Sequence, residues 1–304
     1  MPRSRRRLAG AWIFQACRKH TYGSVESGYP ALVLFGTSSG QTCHTIPLFG
    51  HTFNEDMWVP HAELSYFRVG AGTKYIPSES WLSSFLAHDD NWGSNFCIPR
   101  RFLYTRASCE KWPKEQGGRR FCETQSDCVV HVIATMPKEV RVDPLWAEMI
   151  GADYLFKLLQ RLPQRGNPWD ARLREYAAEH LLVLRPILIE AAEYSEHLDR
   201  VSDWDGKRIY KKHIRDLALI PPQKLWMIEL SVPELFSANR RKVGEVLVYA
   251  EVPPTARRDF GSFLLARLPG YFALYDRGGE TNPIYRTVAS GIDGHVELFA
   301  CEER

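Results

Sequence analysis

The chain has 304 residues, enough for about two average domains. A hydrophobic fraction of 44% and a charged fraction of 25% belong to a chain that folds, not one that stays disordered. The net charge of +3 is too small for a coat on nucleic acid or an anionic membrane, so neither partner is expected.

The N-terminus carries Arg5-Arg6-Arg7 and a short apolar run from Leu8 to Phe14. Arg18, Lys19 and His20 follow without a small-residue cleavage site, so neither a signal peptide nor a twin-arginine leader is expected. The seven cysteines (Cys17, Cys43, Cys97, Cys109, Cys122, Cys128 and Cys301) are odd in number and widely dispersed. That usage predicts free thiols in a reducing compartment and a cytoplasmic protein.

Residues 11–27 predict a helix, ended by Gly28 and Pro30. Ala31–Phe35 is a continuous apolar run bounded by turn formers, which reads as a buried strand. After the turn Gly36–Gln41, residues 42–50 alternate as a strand. Pro47 inside it predicts an edge or a bulge. An apolar stretch over 79–88 leads into the acidic turn Asp89-Asp90-Asn91-Trp92-Gly93, and residues 106–127 predict a long polar loop.

The second half opens on a strand candidate, Cys128–Met136, followed by a helix around 144–162. A long helical pattern from Trp169 to about Arg200 should kink at Pro186. Four β-rich segments, 226–232, 244–251, 262–276 and 295–302, close the chain. Alternation places Met227, Glu229 and Ser231 on a wet face, with Arg240, Arg241 or Lys242 able to pair with Glu229 and Glu245 if these are buried. The class is α+β.

His44 opens a strand and Asp89 and Asp90 close a later one. In a regular strand His44, Ile46, Leu48 and Gly50 share one face, while Cys43, Thr45, Pro47, Phe49 and His51 share the other. Cys43 therefore cannot serve its neighbour His44. Asp89 and Asp90 likewise fall on opposite faces, so only one of them could orient the imidazole. An imidazole held by a carboxylate is the base and orienting group of nucleophilic catalysis. The plainer reading is a strand-end histidine beside a solvated acidic turn.

The run Val25–Val33, VESGYPALV, resembles the helix–Gly–x–Pro–strand that precedes the catalytic histidine of papain-like cysteine peptidases. It is nearest in type to the bacterial bacteriocin-processing (double-glycine leader) peptidase domains. In such families the histidine begins a His-x-hydrophobic-x-hydrophobic-x-Gly strand, matched by His44, Ile46, Leu48 and Gly50. The next strand ends in an acid or amide before a Gly turn, matched by Asp89–Gly93. The papain pattern, an amide with Ser-Trp-Gly, favours Asp90; the Asp-Pro-x-x-Gly pattern of the bacteriocin type favours Asp89. The resemblance covers about residues 15–103 and rests on short motifs. It implies a partial papain-like segment over 1–120 and an α+β extension over 121–304 that could share its sheet.

The family's nucleophile heads a long helix well upstream of the histidine, usually after a Gln, yet only 43 residues precede His44. Cys17, two residues after Gln15, lies in the helix directly before the histidine strand, which is not the element the family uses. The expectation is therefore a cysteine peptidase-like protein, acting on a peptide or protein, that is incomplete or inactive as written. Gln15 is a remote candidate for oxyanion support. The alternative is a papain-like remnant that binds a protein partner without catalysis.

A second alternative is a serine hydrolase using Ser38 in Gly36-Thr37-Ser38-Ser39-Gly40, with His295 as a late histidine. An elbow of that kind must turn into a helix, whereas residues 42–50 read as strand. No phosphate loop is present, because the stretch lacks a Lys. Cys109, Cys122, Cys128 and His131 lack zinc-site spacing, and His51, Asp56, His61 and His88 are scattered. No metal or cofactor is expected.

Overall fold

The computed structural model describes residues 19–36, 43–53, 68–70, 73–90, 93–99, 129–161, 168–200, 224–251, 263–269, 271–276 and 284–289. In chain order the first elements are helix α1 (19–26) and strands β1 (Ala31–Gly36), β2 (Cys43–Phe53), β3 (Arg68–Gly70) and β4 (Thr73–Pro77). A single 3-10 turn (Ser78–Trp81) then leads to β5 (Leu82–Asp89), β6 (Gly93–Pro99) and β7 (Val129–Ala134). Helices α2 (Pro144–Arg161) and α3 (Pro168–Ala178), strand β8 (Val183–Glu190) and helix α4 (Ala191–Arg200) follow. The last are β9 (Lys224–Ser231), α5 (Pro233–Asn239), β10 (Gly244–Tyr249), β11 (Phe263–Leu268), β12 (Tyr271–Asp276) and β13 (Ile284–Ala289). Helices and strands thus make the α+β class that the sequence implies.

The chain divides into two compact units. One comprises residues 1–54 and 81–137, the other 55–80 and 138–304. Residues 55–80 are therefore an excursion from the first unit into the second, which a single division near residue 120 does not describe.

The first unit holds a five-stranded antiparallel sheet in the order β6-β5-β2-β1-β7. Helix α1 covers one face. Its Tyr22 and Val25 join Ala31, Val33, Ile46, Leu48, Phe85, Ala87 and Ile98 in one core. The exit from α1 shows why the sequence turns where it does. Gly28 takes φ +80, and Gly28 and Tyr29 donate back to the Val25 and Ser24 carbonyls. This closes the helix with the left-handed cap that glycine adopts at no steric cost. β7, which the sequence places at the head of the second half, pairs instead with β1.

The second unit holds an eight-stranded sheet of its own, in the order β13-β12-β11-β10-β9-β8-β4-β3, rather than an extension of the first. Helix α2 packs on one face, where Gly151 meets Ile228 and the Trp226 indole donates to the Val142 carbonyl. Tyr194 and Leu198 of α4 pack on the other face with Met227, Leu247 and Leu265. Covered on both sides, β9 and β10 are buried over nearly their whole length.

The long helix expected from Trp169 to Arg200 is two helices with strand β8 between them. The apolar run of β8 satisfies a buried strand better than one stripe of a helix, and the sheet overrides local helix propensity. Pro186 is tolerated there because β4 pairs with β8 only at Val183 and Leu184, leaving that side of the strand open at the proline. β3, β4, β6 and β13 carry no alternation strong enough to be anticipated. The segment 295–302 lies outside the described residues.

Candidate functional site

His44 is the second residue of β2, opposite Phe35 of β1. Asp89 is the last residue of β5, and β5 is the other neighbour of β2. The His44 Nε2 lies 3.1 Å from Asp89 Oδ2 and 3.6 Å from Asp90 Oδ1. Exposure grades across the three side chains: Asp89 is 4% exposed, His44 34% and Asp90 81%. A buried carboxylate thus holds an imidazole that solvent can reach. With the proton on Nε2, shared with a carboxylate, the neutral ring presents Nδ1 as its basic nitrogen. Among the described residues, no hydrogen bond to Nδ1 is found.

Both acids reach one nitrogen, although strict alternation allows only one. The register between β5 and β6 shifts between Ala87 and Asp89, and Asp90 has already left the strand for the turn. The period-2 rule ends where the ladder ends.

A second departure concerns His51. Leu48 pairs with Ala87 while Gly50 pairs with Leu86, so β2 carries one extra residue. This bulge reverses the facing of everything after it. His51 and Phe53 turn toward the helix-covered side, the same side as His44, Ile46 and Leu48. His51 Nε2 meets the buried Glu26 carboxylate of α1, and its ring lies 5.4 Å from that of Tyr22 and 4.5 Å from that of Phe53. The signal in the sequence is Gly50 inside a strand, shortly after Pro47. Pro47 itself sits in an interior strand next to the bulge, not at an edge.

Glu229, placed on a wet face by alternation, is buried, and so is Glu245. Arg185, Glu229, Glu245 and Arg267 are direct cross-strand partners in one row over β8, β9, β10 and β11. Arg185 Nη1 lies 3.2 Å from Glu229 Oε2, and Arg267 Nη2 lies 2.7 Å from Glu245 Oε2. Lys242 Nζ stands 3.4 Å from Glu229 and 3.6 Å from Glu245. The Tyr194 hydroxyl donates to Glu245 at 2.8 Å. Burial alone would raise the Glu245 carboxyl, but the Arg267 guanidinium and the Lys242 ammonium outweigh it and hold the group at about 2. A further buried set joins Arg68 to Glu79 and, at 2.6 Å, to Glu148, which also accepts from the Tyr75 hydroxyl at 3.0 Å. Burial pushes the Tyr75 hydroxyl well up. Both networks are largely buried, as structural ion pairs are.

Cys17, Gln15, Ser38, His295, Asp56, His61 and the cysteines at 109, 122 and 128 lie outside the described residues. His131 and His88 are exposed on β7 and β5. Cys97 is an exposed free thiol on β6. It pairs with Leu86, whose partner Gly50 is six residues along β2 from His44, about 20 Å in the strand direction. Cys97 is therefore no partner for His44. After residue 42 the chain returns as β2, antiparallel to β1, and not as the helix that an elbow at Ser38 requires. Among the described residues no helix is long and apolar enough to cross a membrane. No protein-family model, curated protein or solved structure matches the chain.

Proposed function

We propose that the chain is a cysteine peptidase-like protein in which His44 is the general base and Asp89 the carboxylate that orients it. In this reading a thiol gives its proton to His44 Nδ1 and the thiolate attacks a peptide or isopeptide carbonyl. The imidazolium then returns the proton to the leaving amine, and water hydrolyses the resulting thioester. Asp90, largely exposed, is the lesser partner of the ring.

The observation that carries this reading is the 3.1 Å contact of His44 Nε2 with a buried Asp89, at the ends of adjacent strands. The thiol of this reading is Cys17, the candidate that the sequence offers, which lies outside the described residues.

Turnover of a fluorogenic peptide by the full chain is expected to be weak and to fall by about 10²–10⁴-fold in His44→Ala. Turnover unchanged in that variant contradicts the assignment. Absence of turnover favours the runner-up, a non-enzymatic binding module. For that reading, Ile133, Leu32 and Pro47 form one cross-strand row on the face away from α1, with Ile133 and nearby Phe49 exposed.

A further inference from the structure

We propose that His44, Asp89 and Asp90 also form a binding site for a divalent first-row transition ion of the zinc type, and that the bound ion switches off His44 as a base. The switching half rests on the function proposed above; the binding half does not.

The donor geometry comes first. One ring nitrogen and one oxygen from each carboxylate all lie within 4.8 Å of one another. Two of the separations are 3.1 and 3.6 Å. Ligands held about 2.0–2.2 Å from a tetrahedral ion sit about 3.3–3.6 Å apart. Two of the three edges therefore already come close to those of a coordination tetrahedron, and the third, within 4.8 Å, closes by side-chain rotation.

The chemistry of the set comes second. With ionised carboxylates the three groups carry a net negative charge whether or not the imidazole is protonated. A dication between them relieves the repulsion between the carboxylates. A ring nitrogen among carboxylate oxygens selects zinc and its neighbours over magnesium or calcium, which prefer all-oxygen shells.

Placement comes third. His44 and Asp89 project from paired strands on the covered side of the sheet, so two ligands are held by the fold itself. Asp90 is 81% exposed and leaves the outer side of the site open to water or an incoming ligand. Such an arrangement loads and unloads from solvent, unlike a closed structural zinc site.

The consequence follows from the ring. An ion on Nε2 takes that lone pair and fixes the proton on Nδ1, the nitrogen that must accept the thiol proton. Metal binding and base catalysis at His44 are then mutually exclusive.

Calorimetric titration of the full chain with zinc chloride tests the site without any need for turnover. One equivalent is expected to bind, with affinity at least about tenfold weaker in both His44→Ala and Asp90→Asn, both altered at solvent-accessible side chains. Magnesium chloride should give no saturable heat. Cobalt(II) in place of zinc should show ligand-field bands without a thiolate-to-metal charge-transfer band. Zinc affinity unchanged in both variants, equally tight magnesium binding, or a thiolate band would each overturn the proposal. Zinc absent from a protein whose turnover still depends on His44 defeats this inference alone. Zinc bound by these residues in a protein without turnover defeats the peptidase reading alone.

Discussion

Two carboxylates converge on one imidazole nitrogen, and their surroundings separate their roles. Asp89 is buried at the end of a strand, so its contact with His44 is set by the fold and little weakened by water. Asp90 is exposed in the turn, where the same charge counts for much less. Asp89→Asn should therefore lower His44-dependent turnover by about 10²-fold or more, and Asp90→Asn by less than about tenfold, in steady-state peptide hydrolysis. Equal effects would contradict the division. In the second unit, Glu245 is buried between Arg267 and Lys242. Glu245→Gln leaves the Arg267 and Lys242 charges buried beside a neutral amide and should cost about 3–5 kcal/mol in urea unfolding. The same carboxyl sets an acid limit. Its folded value of about 2 lies below its ordinary 4.5, so its stabilisation is complete above about pH 4.5 and is lost as pH falls toward 2. That difference corresponds to about 3 kcal/mol at most, readable as a fall in the urea midpoint that Glu245→Gln abolishes. His44 and the acids were legible because residue type and strand-end position coincide. The Arg185–Glu229–Glu245–Arg267 row was not, because its members come from four strands whose register no local pattern encodes.

At the scale of elements, single glycines decide more than propensities do. Gly50 sits at the bulge of β2 and thereby brings His51 to the same side of the sheet as His44. Gly151 lets α2 lie against β9, since a Cβ there would stand 2.7 Å from Ile228 Cγ1. Gly151→Ala gains up to about 1 kcal/mol of helix propensity but forces an overpacked contact costing about 1–3 kcal/mol. A net loss of stability is the expected outcome in thermal or urea unfolding. Gly244→Ala should be worse, because its Cβ would lie 2.4 Å from the Arg267 backbone carbonyl, which cannot rotate away. Stability unchanged in Gly244→Ala would contradict the observed pairing of β10 with β11. The strands β1, β2, β9 and β10 and helix α2 were readable from apolar runs and period. β8 was not, since its flanks carry helical pattern and Pro186 suggests a kink; only pairing with β9 turns that run into a strand.

For the whole molecule the informative feature is the excursion of residues 55–80. It delivers β3, β4 and Arg68 to the second unit, where Arg68 meets Glu148 of α2 and β4 pairs in parallel with β8. No single cut of the chain then yields both units intact. A fragment of residues 138–304 should be markedly less stable than the same unit within the full chain, because Glu148 loses Arg68 and β8 loses its neighbour. Addition of a 66–81 peptide in trans should restore part of that stability, measured by urea unfolding; full stability without the peptide would contradict the shared sheet. The excursion was invisible in the sequence because β3 and β4 are short and make sense only beside β8. The most direct test of the central claim is the rate of iodoacetamide alkylation at each of the seven cysteines, mapped by mass spectrometry at pH 6 in the full chain and in His44→Ala. If His44 and Asp89 serve a thiolate, one cysteine reacts at least about tenfold faster than the others, and that excess disappears in the variant. If all seven react alike, or the fast one is indifferent to His44, the peptidase reading is contradicted.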